Sequence, residues 1–121
     1  MVTKEKIAWN SEADNALLSA LGNDLCQIKK EVAEGSCELW RYDDGGYCVT
    51  RLEVTQSGKE LVIVGSGVKN GAQKLREWVK LANSNGWTVR IHSKRLGMAK
   101  FLERQGFGKL ETVYRWAKNG R

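Results

Sequence analysis

The sequence predicts an α+β protein in which helices cover the faces of a mixed β-sheet, with the elements in the order ααββ-βαβαβ. Apolar residues with helical spacing come first, a hairpin signal surrounds Asp44-Gly45, and a strand–helix–strand pattern runs from Leu61 to Ile91. Such alternation of strands and helices is typical of a sheet with helices on its faces. The 121 residues contain no proline, linker or repeat, so a single domain over residues 1–121 is expected.

Two helices are predicted at the N-terminal end. Ser11, followed by Asp14, forms a variant of the capping box, and the helix it begins is expected to stop at Gly22. Asn23 is expected to cap a second helix that stops at Gly35. The apolar positions of the two helices are Ala13, Ala16, Leu17, Ala20 and Leu21, then Leu25, Ile28 and Val32.

The segment CELWRYDDGGYCVTRLEV predicts a β-hairpin, because an Asp-Gly pair lies between aromatic and β-branched residues. A two-residue turn at Asp44-Gly45 would pair the strands in a register in which each cross-strand contact is favourable. The expected pairs are Tyr42 with Tyr47, Trp40 with Val49, and Glu38 with Arg51.

A second turn at residues 56–58 leads into a consecutively apolar strand, Leu61–Val64, which indicates a central strand covered on both faces. A helix is predicted from Ala72 to the NSNG segment at 83–86, and WTVRI at 87–91 is the next strand. These elements form a right-handed βαβ crossover if the two strands are parallel neighbours. The predicted buried face of the helix is Leu75, Trp78, Val79 and Ala82, with Lys74, Arg76, Glu77 and Lys80 outside it.

Two further elements complete the prediction. Ser93 is expected to cap a last helix that contains Leu96, Ala99 and Leu102 and ends at Gly106. The segment KLETVYRW, residues 109–116, is expected to close the chain as one strand.

Charge divides the chain into two halves. Residues 1–65 have a net charge of −4 and residues 66–121 a net charge of +10, within an overall +6. This asymmetry favours an anionic partner such as a phosphorylated cofactor, a nucleic acid or an acidic protein, and a solvated basic face is the alternative. The start of the sequence has no secretory pattern and no apolar run reaches membrane length, so a cytoplasmic protein without a membrane contact is predicted.

The cysteines are spaced evenly, at Cys26, Cys37 and Cys48, without a close pair. Metal sites usually take two ligands from one tight turn, and the sole histidine, His92, lies far along the chain. Buried structural thiols are therefore expected, and no metal.

The element order and the segment MAKFLERQGF at 98–107 resemble the GNAT family of N-acetyltransferases. Members of that family carry a helix after their fifth strand, followed by a segment that ends in a Gly-Phe pair. Gly106 and Phe107 match this pair, and Phe101 and Leu102 precede it. The resemblance implies a GNAT-like fold and acetyl-CoA as cofactor. It also implies transfer of the acetyl group from this coenzyme A thioester to an amine acceptor.

The resemblance places the cofactor at the turn from the fourth strand into the long helix. The family motif is Arg or Gln, two residues, then Gly-x-Gly or Gly-x-Ala, and here Gly71 matches the last glycine while Lys69 and Ser66 occupy the other two positions. Gly65 and Gly67 are expected to allow unusual backbone angles, and the helix N-terminus to attract the pyrophosphate. The implied cofactor-binding residues are Val64, Gly65, Gly67, Val68, Lys69, Asn70, Gly71 and Ala72.

The candidate catalytic residue is His92, which falls where the family often has an asparagine at the end of the fifth strand. A neutral imidazole is suited to accept a proton from an amine near pH 7, and a single structural hydrogen bond is the alternative role. Glu60 is a weaker base candidate, expected instead to be a solvated strand end. The family's acid tyrosine is replaced by Leu102, which cannot donate a proton.

Three functions remain open from the sequence. The first is an acyl-CoA-dependent N-acyltransferase. The second is a non-catalytic acetyltransferase-like fold that binds a protein partner. Compact acetyltransferase-like proteins of tailed phages are similar in size and in the KFLERQGF segment, and they lose the same motifs. Such a protein would act in the host cytoplasm or in the virion. The third is a nucleic-acid-binding protein that uses Arg90, Lys94, Arg95, Lys100 and Arg104.

Overall fold

The structure is a computed structural model that describes residues 3–92, 108–110 and 113–116. The strands of these residues lie in one sheet in the order β1-β2-β3-β4-β5-β7-β6. Helices and a mixed set of strands are both present, so the α+β class is confirmed. A 3₁₀ turn, Gly22–Asp24, links the first two helices. The elements are β1 (Lys4–Ile7), α1 (Ser11–Leu21), α2 (Leu25–Glu34), β2 (Glu38–Tyr42), β3 (Tyr47–Thr55), β4 (Gly58–Gly67), α3 (Gly71–Ser84), β5 (Thr88–His92), β6 (Gly108–Leu110) and β7 (Val113–Trp116).

The predicted elements between residues 11 and 92 are present, and the strands that were not predicted as such lie nearer the two ends of the chain. β1 was not predicted, because three of its four residues are charged; it forms by antiparallel pairing with β2, from Lys4 opposite Tyr42 to Ile7 opposite Leu39. The prediction of one closing strand is wrong, since β6 and β7 are separate strands that pair antiparallel with each other. The helix predicted from Ser93 to Gly106 lies outside the described residues.

The contacts within the chain define two compact units. Unit 1 comprises Met1–Arg51 and Ile63–Lys69, and unit 2 comprises Leu52–Val62 and Asn70–Arg121. β3 and β4 therefore contribute residues to both units, and the single domain over residues 1–121 stays a prediction. Among the residues that the structure describes, no helix is long and apolar enough to cross a membrane, and the compartment stays a prediction.

The core of unit 1 lies between α1, α2 and one face of the β2–β3 hairpin. Leu39 and Val49, which are opposite each other on β2 and β3, are both fully buried in it. Each helix contributes its predicted apolar stripe, so the helical periodicity is confirmed. The buried members of this core are Ala13, Leu17, Leu21, Ile28, Cys37, Leu39, Tyr47 and Val49.

The N-terminal caps of α1 and α2 differ from the prediction. Asn10, not Ser11, caps α1: its Oδ1 accepts the N–H of Ala13 at 2.8 Å. Asp14 accepts the indole N–H of Trp9 at 2.7 Å and so does not complete a capping box. Asn23 lies in the 3₁₀ turn, where it does not cap α2. The C-terminal signals are confirmed, because Gly22 and Gly35 end the two helices at positive φ.

The hairpin forms as predicted, but its register is wrong by one residue. The observed pairs are Arg41 with Tyr47, Trp40 with Cys48, Leu39 with Val49, and Glu38 with Thr50. The N–H of Tyr42 donates to the carbonyl of Gly46 (2.8 Å) and the N–H of Gly45 to that of Tyr42 (3.0 Å). The loop therefore has three residues with Gly45 at φ 98°, the next commonest hairpin loop after the two-residue turn that was expected.

In unit 2, α3 buries Leu75, Trp78 and Ala82 as predicted. The placement of Lys74 outside that face is wrong, because its side chain is only 3% exposed. Lys74 precedes Trp78 by one helical turn, so it lies on the same, buried side of the helix. β5 pairs antiparallel with β7, from Val89 opposite Trp116 to His92 opposite Val113.

We predict that Asn10→Ala lowers the free energy of unfolding by about 1 kcal/mol, because the N–H of Ala13 then loses its acceptor. The matched control is Ser11→Ala, which should change stability by less than about 0.5 kcal/mol. Urea unfolding followed by circular dichroism measures both. Equal losses in the two variants would contradict the assignment of the cap.

Candidate functional site

The end of β4 is enclosed by α1 in unit 1. A Cβ on Gly67 would overlap the carbonyl oxygen of Ala16, and one on Gly65 would lie 2.6 Å from Cδ2 of Leu21. Neither glycine has a positive φ, so the expectation of unusual backbone angles is wrong. Glycine is required at position 67, where a side chain would meet the backbone of α1, whereas at position 65 a side chain would have to displace the end of the Leu21 side chain.

The β2–β3 turn also reaches this strand end. A Cβ on Gly46 would lie 2.9 Å from both Cα and Cγ1 of Val68. Gly46 is therefore another glycine explained by a close approach of two backbones. Val64 and Val68 are both half-buried, and Val64 packs against the core of unit 1.

The remaining residues of the predicted cofactor loop are at the surface. Lys69, the last residue of unit 1, is exposed. Asn70 and Gly71, the first residues of that segment of unit 2, are exposed as well, and Ala72 is half-buried. All eight predicted residues belong to the end of β4, the first turn of α3 or the chain between them, and their binding of a cofactor stays a prediction.

The start of α3 has three properties that bear on anions. Its N-cap, Asn70, has left-handed backbone angles (φ 53°, ψ 48°), and its side chain makes no capping hydrogen bond. The first turn contains no acidic residue. The first N–H groups of any helix lack acceptors within it and carry positive partial charge, and at this end of α3 the N-cap side chain does not occupy them.

An ion cluster in unit 2 joins three strands. The guanidinium of Arg90 on β5 lies 2.9 Å from Oε2 of Glu53 on β3 and 3.2 Å from Oε1 of Glu60 on β4. The hydroxyl of Thr88 donates to Oε2 of Glu60 at 2.9 Å. Glu60 is 2% exposed, so the expectation of a solvated strand end is wrong: the cation and the hydroxyl let this carboxylate be buried.

The same cluster gives Arg90, one of the basic residues expected to contact nucleic acid, two carboxylate partners within unit 2, and its contact with nucleic acid stays a prediction. Its side chain is 21% exposed and its guanidinium lies between two carboxylates. The other members of that set, Lys94, Arg95, Lys100 and Arg104, lie outside the described residues.

His92 lies at the end of β5, as predicted, and is exposed, and its role as a base stays a prediction. Because side chains alternate along a strand, Thr88, Arg90 and His92 share one face of β5, while Val89 and Ile91 are buried on the other. This alternation is the signal in the sequence that could have placed Thr88 and Arg90 beside the candidate base. Glu53, whose partner is distant in sequence, had no comparable signal.

The cysteines do not form one group. Cys26 is exposed, so its prediction as a buried thiol is wrong, while Cys37 and Cys48 are buried. Burial, and then the Glu31 carboxylate 3.7 Å from its Sγ, raise the pKa of Cys37. Burial raises the pKa of Cys48 to about 12, so this thiol is protonated and unreactive near pH 7. Within the described part of the chain, no group of three or more His, Cys, Asp or Glu side chains is placed to hold a metal ion.

Comparison with known proteins does not assign the chain to a family. No family model matches it, and no curated protein matches it either.

We predict that Gly67→Ala lowers the free energy of unfolding by about 1–3 kcal/mol, because the new methyl group meets a backbone carbonyl of α1 rather than a movable side chain. Gly71→Ala is the matched control: Gly71 is exposed at the first position of α3, where alanine favours the helix. The control should be at least as stable as the wild type in urea. A Gly67→Ala protein of wild-type stability would contradict the close approach.

We also predict that Arg90→Met destabilises the protein by about 2–4 kcal/mol, because it leaves the Glu60 carboxylate buried without its cation. Arg76→Met, on the exposed side of α3, should change stability by less than about 0.5 kcal/mol. Adding Glu60→Gln to Arg90→Met should recover part of the loss. A double variant less stable than Arg90→Met alone would refute this account of the cluster.

Proposed function

We propose that the chain is an acyl-CoA-dependent N-acyltransferase that moves an acetyl group from acetyl-CoA to an amine. The observation that carries the proposal is the start of α3, an exposed helix N-terminus without a side-chain cap and without an acidic residue in its first turn. Such an end attracts a phosphate group by its free N–H groups and by the helix dipole.

The order of the elements supports the same proposal. β4 leads into α3 through residues 68–70, and α3 leads into β5. This is the position in which the resemblance to N-acetyltransferases implies that backbone N–H groups hold the pyrophosphate. Gly71, at the last motif glycine, is the first residue of α3 and carries no side chain to obstruct a diphosphate.

The residues present fit a coenzyme that is anionic at one end. In the proposed reaction, acetyl-CoA supplies the acyl group as a reactive thioester. The N-terminal amides of α3 would hold and orient the pyrophosphate, and positioning of this kind can supply a large part of a rate enhancement. Leu102, at the family's tyrosine position, would supply no acid.

His92 is the proposed general base. It is exposed at the end of β5, on the face that also carries Thr88 and Arg90. In its neutral form an imidazole accepts the proton that the attacking amine loses, which requires a pH above the pKa of the imidazole.

We predict that Gln73→Glu, in the exposed first turn of α3, weakens binding of coenzyme A about threefold to tenfold, equivalent to about 0.7–1.4 kcal/mol. The new carboxylate repels phosphate at the position where the helix dipole attracts it. The same carboxylate should raise the free energy of unfolding by about 0.3–1 kcal/mol, because it interacts favourably with that dipole. Weaker binding with greater stability cannot result from damage to the fold. Calorimetric titration and urea unfolding measure the two effects.

The control for this variant is Asn83→Asp in the last turn of α3, also exposed. It adds the same charge about 15 Å further along the helix, beyond the Debye length of about 8 Å at physiological salt. Its affinity for coenzyme A should equal that of the wild type. Equal weakening in both variants would show a general effect of charge. If the wild-type protein binds no coenzyme A, the non-catalytic interaction protein replaces the enzyme as the favoured function.

We predict that His92→Gln lowers kcat for acetyl transfer to a mixture of primary amines about 100-fold, the contribution typical of a general base. The dissociation constant for coenzyme A should not change, because the proposed base does not contact the pyrophosphate. Release of the coenzyme A thiol from acetyl-CoA measures turnover. An unchanged kcat in this variant would return His92 to a structural role at the end of β5.

A further inference from the structure

We propose that Asn70-Gly71 is a site of spontaneous deamidation, which adds a negative charge at the start of α3. The inference does not depend on the proposed acyltransferase activity. It concerns a covalent modification of the chain itself, in which the side-chain amide of Asn70 is converted into a carboxylic acid.

The chemistry uses only the two residues and water. The backbone nitrogen of Gly71 loses its proton to hydroxide and attacks Cγ of Asn70. The N–Cγ bond forms, the Cγ–Nδ2 bond breaks, and the amide group leaves as ammonia. Water then opens the cyclic imide at one of its two carbonyl carbons, which gives aspartate or isoaspartate at position 70. Nothing is oxidised or reduced.

The surroundings of the reacting atoms leave them accessible. Asn70 and Gly71 are both exposed, and Gly71 has no side chain to obstruct the attack. Gly71 is the first residue of α3, so its N–H has no acceptor within the helix. The side chain of Asn70 makes no capping hydrogen bond. Both the nucleophile and the amide that it attacks are therefore available at the surface.

The backbone of Asn70 opposes the reaction only weakly. Ring closure requires rotation about ψ of Asn70. The backbone of this residue has left-handed angles (φ 53°, ψ 48°), which are uncommon for residues other than glycine. The rotation breaks the hydrogen bond from the N–H of Lys74 to the carbonyl of Asn70, which is 3.3 Å long. That bond lies in the terminal turn of a helix, where fraying requires the least free energy.

The other end of α3 provides a comparison within the same helix. Asn85-Gly86 is the same dipeptide, and both of its residues are exposed. However, Nδ2 of Asn85 donates to the carbonyl of Leu81 at 2.8 Å. The N–H of Gly86 donates to the carbonyl of Asn83 at 3.2 Å. Both reacting groups of Asn85-Gly86 are thus held in hydrogen bonds. The two Asn-Gly sites are alike in exposure and differ in hydrogen bonding.

The product changes the electrostatics of α3 in a definite way. Aspartate at the N-cap is favourable for the helix, because its charge opposes the positive end of the dipole and its oxygen is a good cap. Isoaspartate instead inserts a methylene group into the main chain where the helix begins. Either product carries a carboxylate beside the first N–H groups of α3, where it repels any other anion.

The test is incubation of the folded protein at mildly alkaline pH, with aliquots digested by trypsin in heavy-oxygen water so that later deamidation is marked. Cleavage after Lys69 and Lys74 isolates NGAQK, and cleavage after Lys80 and Arg90 isolates LANSNGWTVR. The sequence Lys118-Asn119-Gly120, outside the described residues, gives the separate peptide NGR. Mass spectrometry then follows each asparagine over time.

We expect Asn70 to deamidate at least about tenfold faster than Asn85 in the folded protein, equivalent to about 1.4 kcal/mol in activation free energy. In urea the two rates should converge, because both sites are then flexible Asn-Gly pairs. Gly71→Ala should slow the reaction at Asn70 and leave Asn85 unchanged. The proposal is overturned if Asn85 reacts as fast as Asn70 in the folded protein. It is also overturned if Asn70 stays intact while the unfolded chain reacts, or if Gly71→Ala has no effect.

Discussion

The approach of α1 to the end of β4 is the constraint on which unit 1 depends. The carbonyl of Ala16 lies against Gly67, and the side chain of Leu21 lies against Gly65. A helix packs this closely on a strand only where the strand has no side chains to separate the two backbones. The contact positions α1 so that Leu17, which follows Ala16 and precedes Leu21 by one turn, is fully buried in the core.

This constraint also changes the meaning of the glycines near residue 65. In the sequence they suggest a loop whose backbone approaches a phosphate. In the structure Gly65 and Gly67 belong to β4, and what approaches them is another part of the same unit. Gly71 is the one glycine of the segment that lies exposed at a helix N-terminus, which confines the argument for anion binding to the first turn of α3.

Unit 2 contains an ion cluster that joins three strands. Arg90 lies between Glu53 and Glu60, and Glu60 is almost completely buried. A carboxylate in that position is stable only with a cation and a hydrogen-bond donor beside it. The cluster therefore uses part of the basic character of the C-terminal half within unit 2.

The sequence by itself determined the elements whose signals are local. Helical spacing, positive-φ glycines and an apolar run are properties of neighbouring residues, so α1, α2, α3 and the strands from β2 to β5 could be predicted. The hairpin was predicted, but its register was not. The turn sequence is compatible with a two-residue loop and with a three-residue loop formed by Asp43, Asp44 and Gly45. The length of the loop shifts every cross-strand pair of β2 and β3 by one residue.

Tertiary structure decided whatever depends on partners distant in the sequence. β1 is too polar to predict as a strand and exists through its pairing with β2. Glu60 and Lys74 look like solvated charges, yet both are buried: Glu60 is matched by Arg90 from another strand, and Lys74 lies on the buried side of α3. Gly67 is needed because of the backbone of α1, which precedes it by more than forty residues. Local patterns record what a residue prefers, whereas burial, ion pairing and close approach depend on which surfaces meet, and only the folded chain sets those contacts.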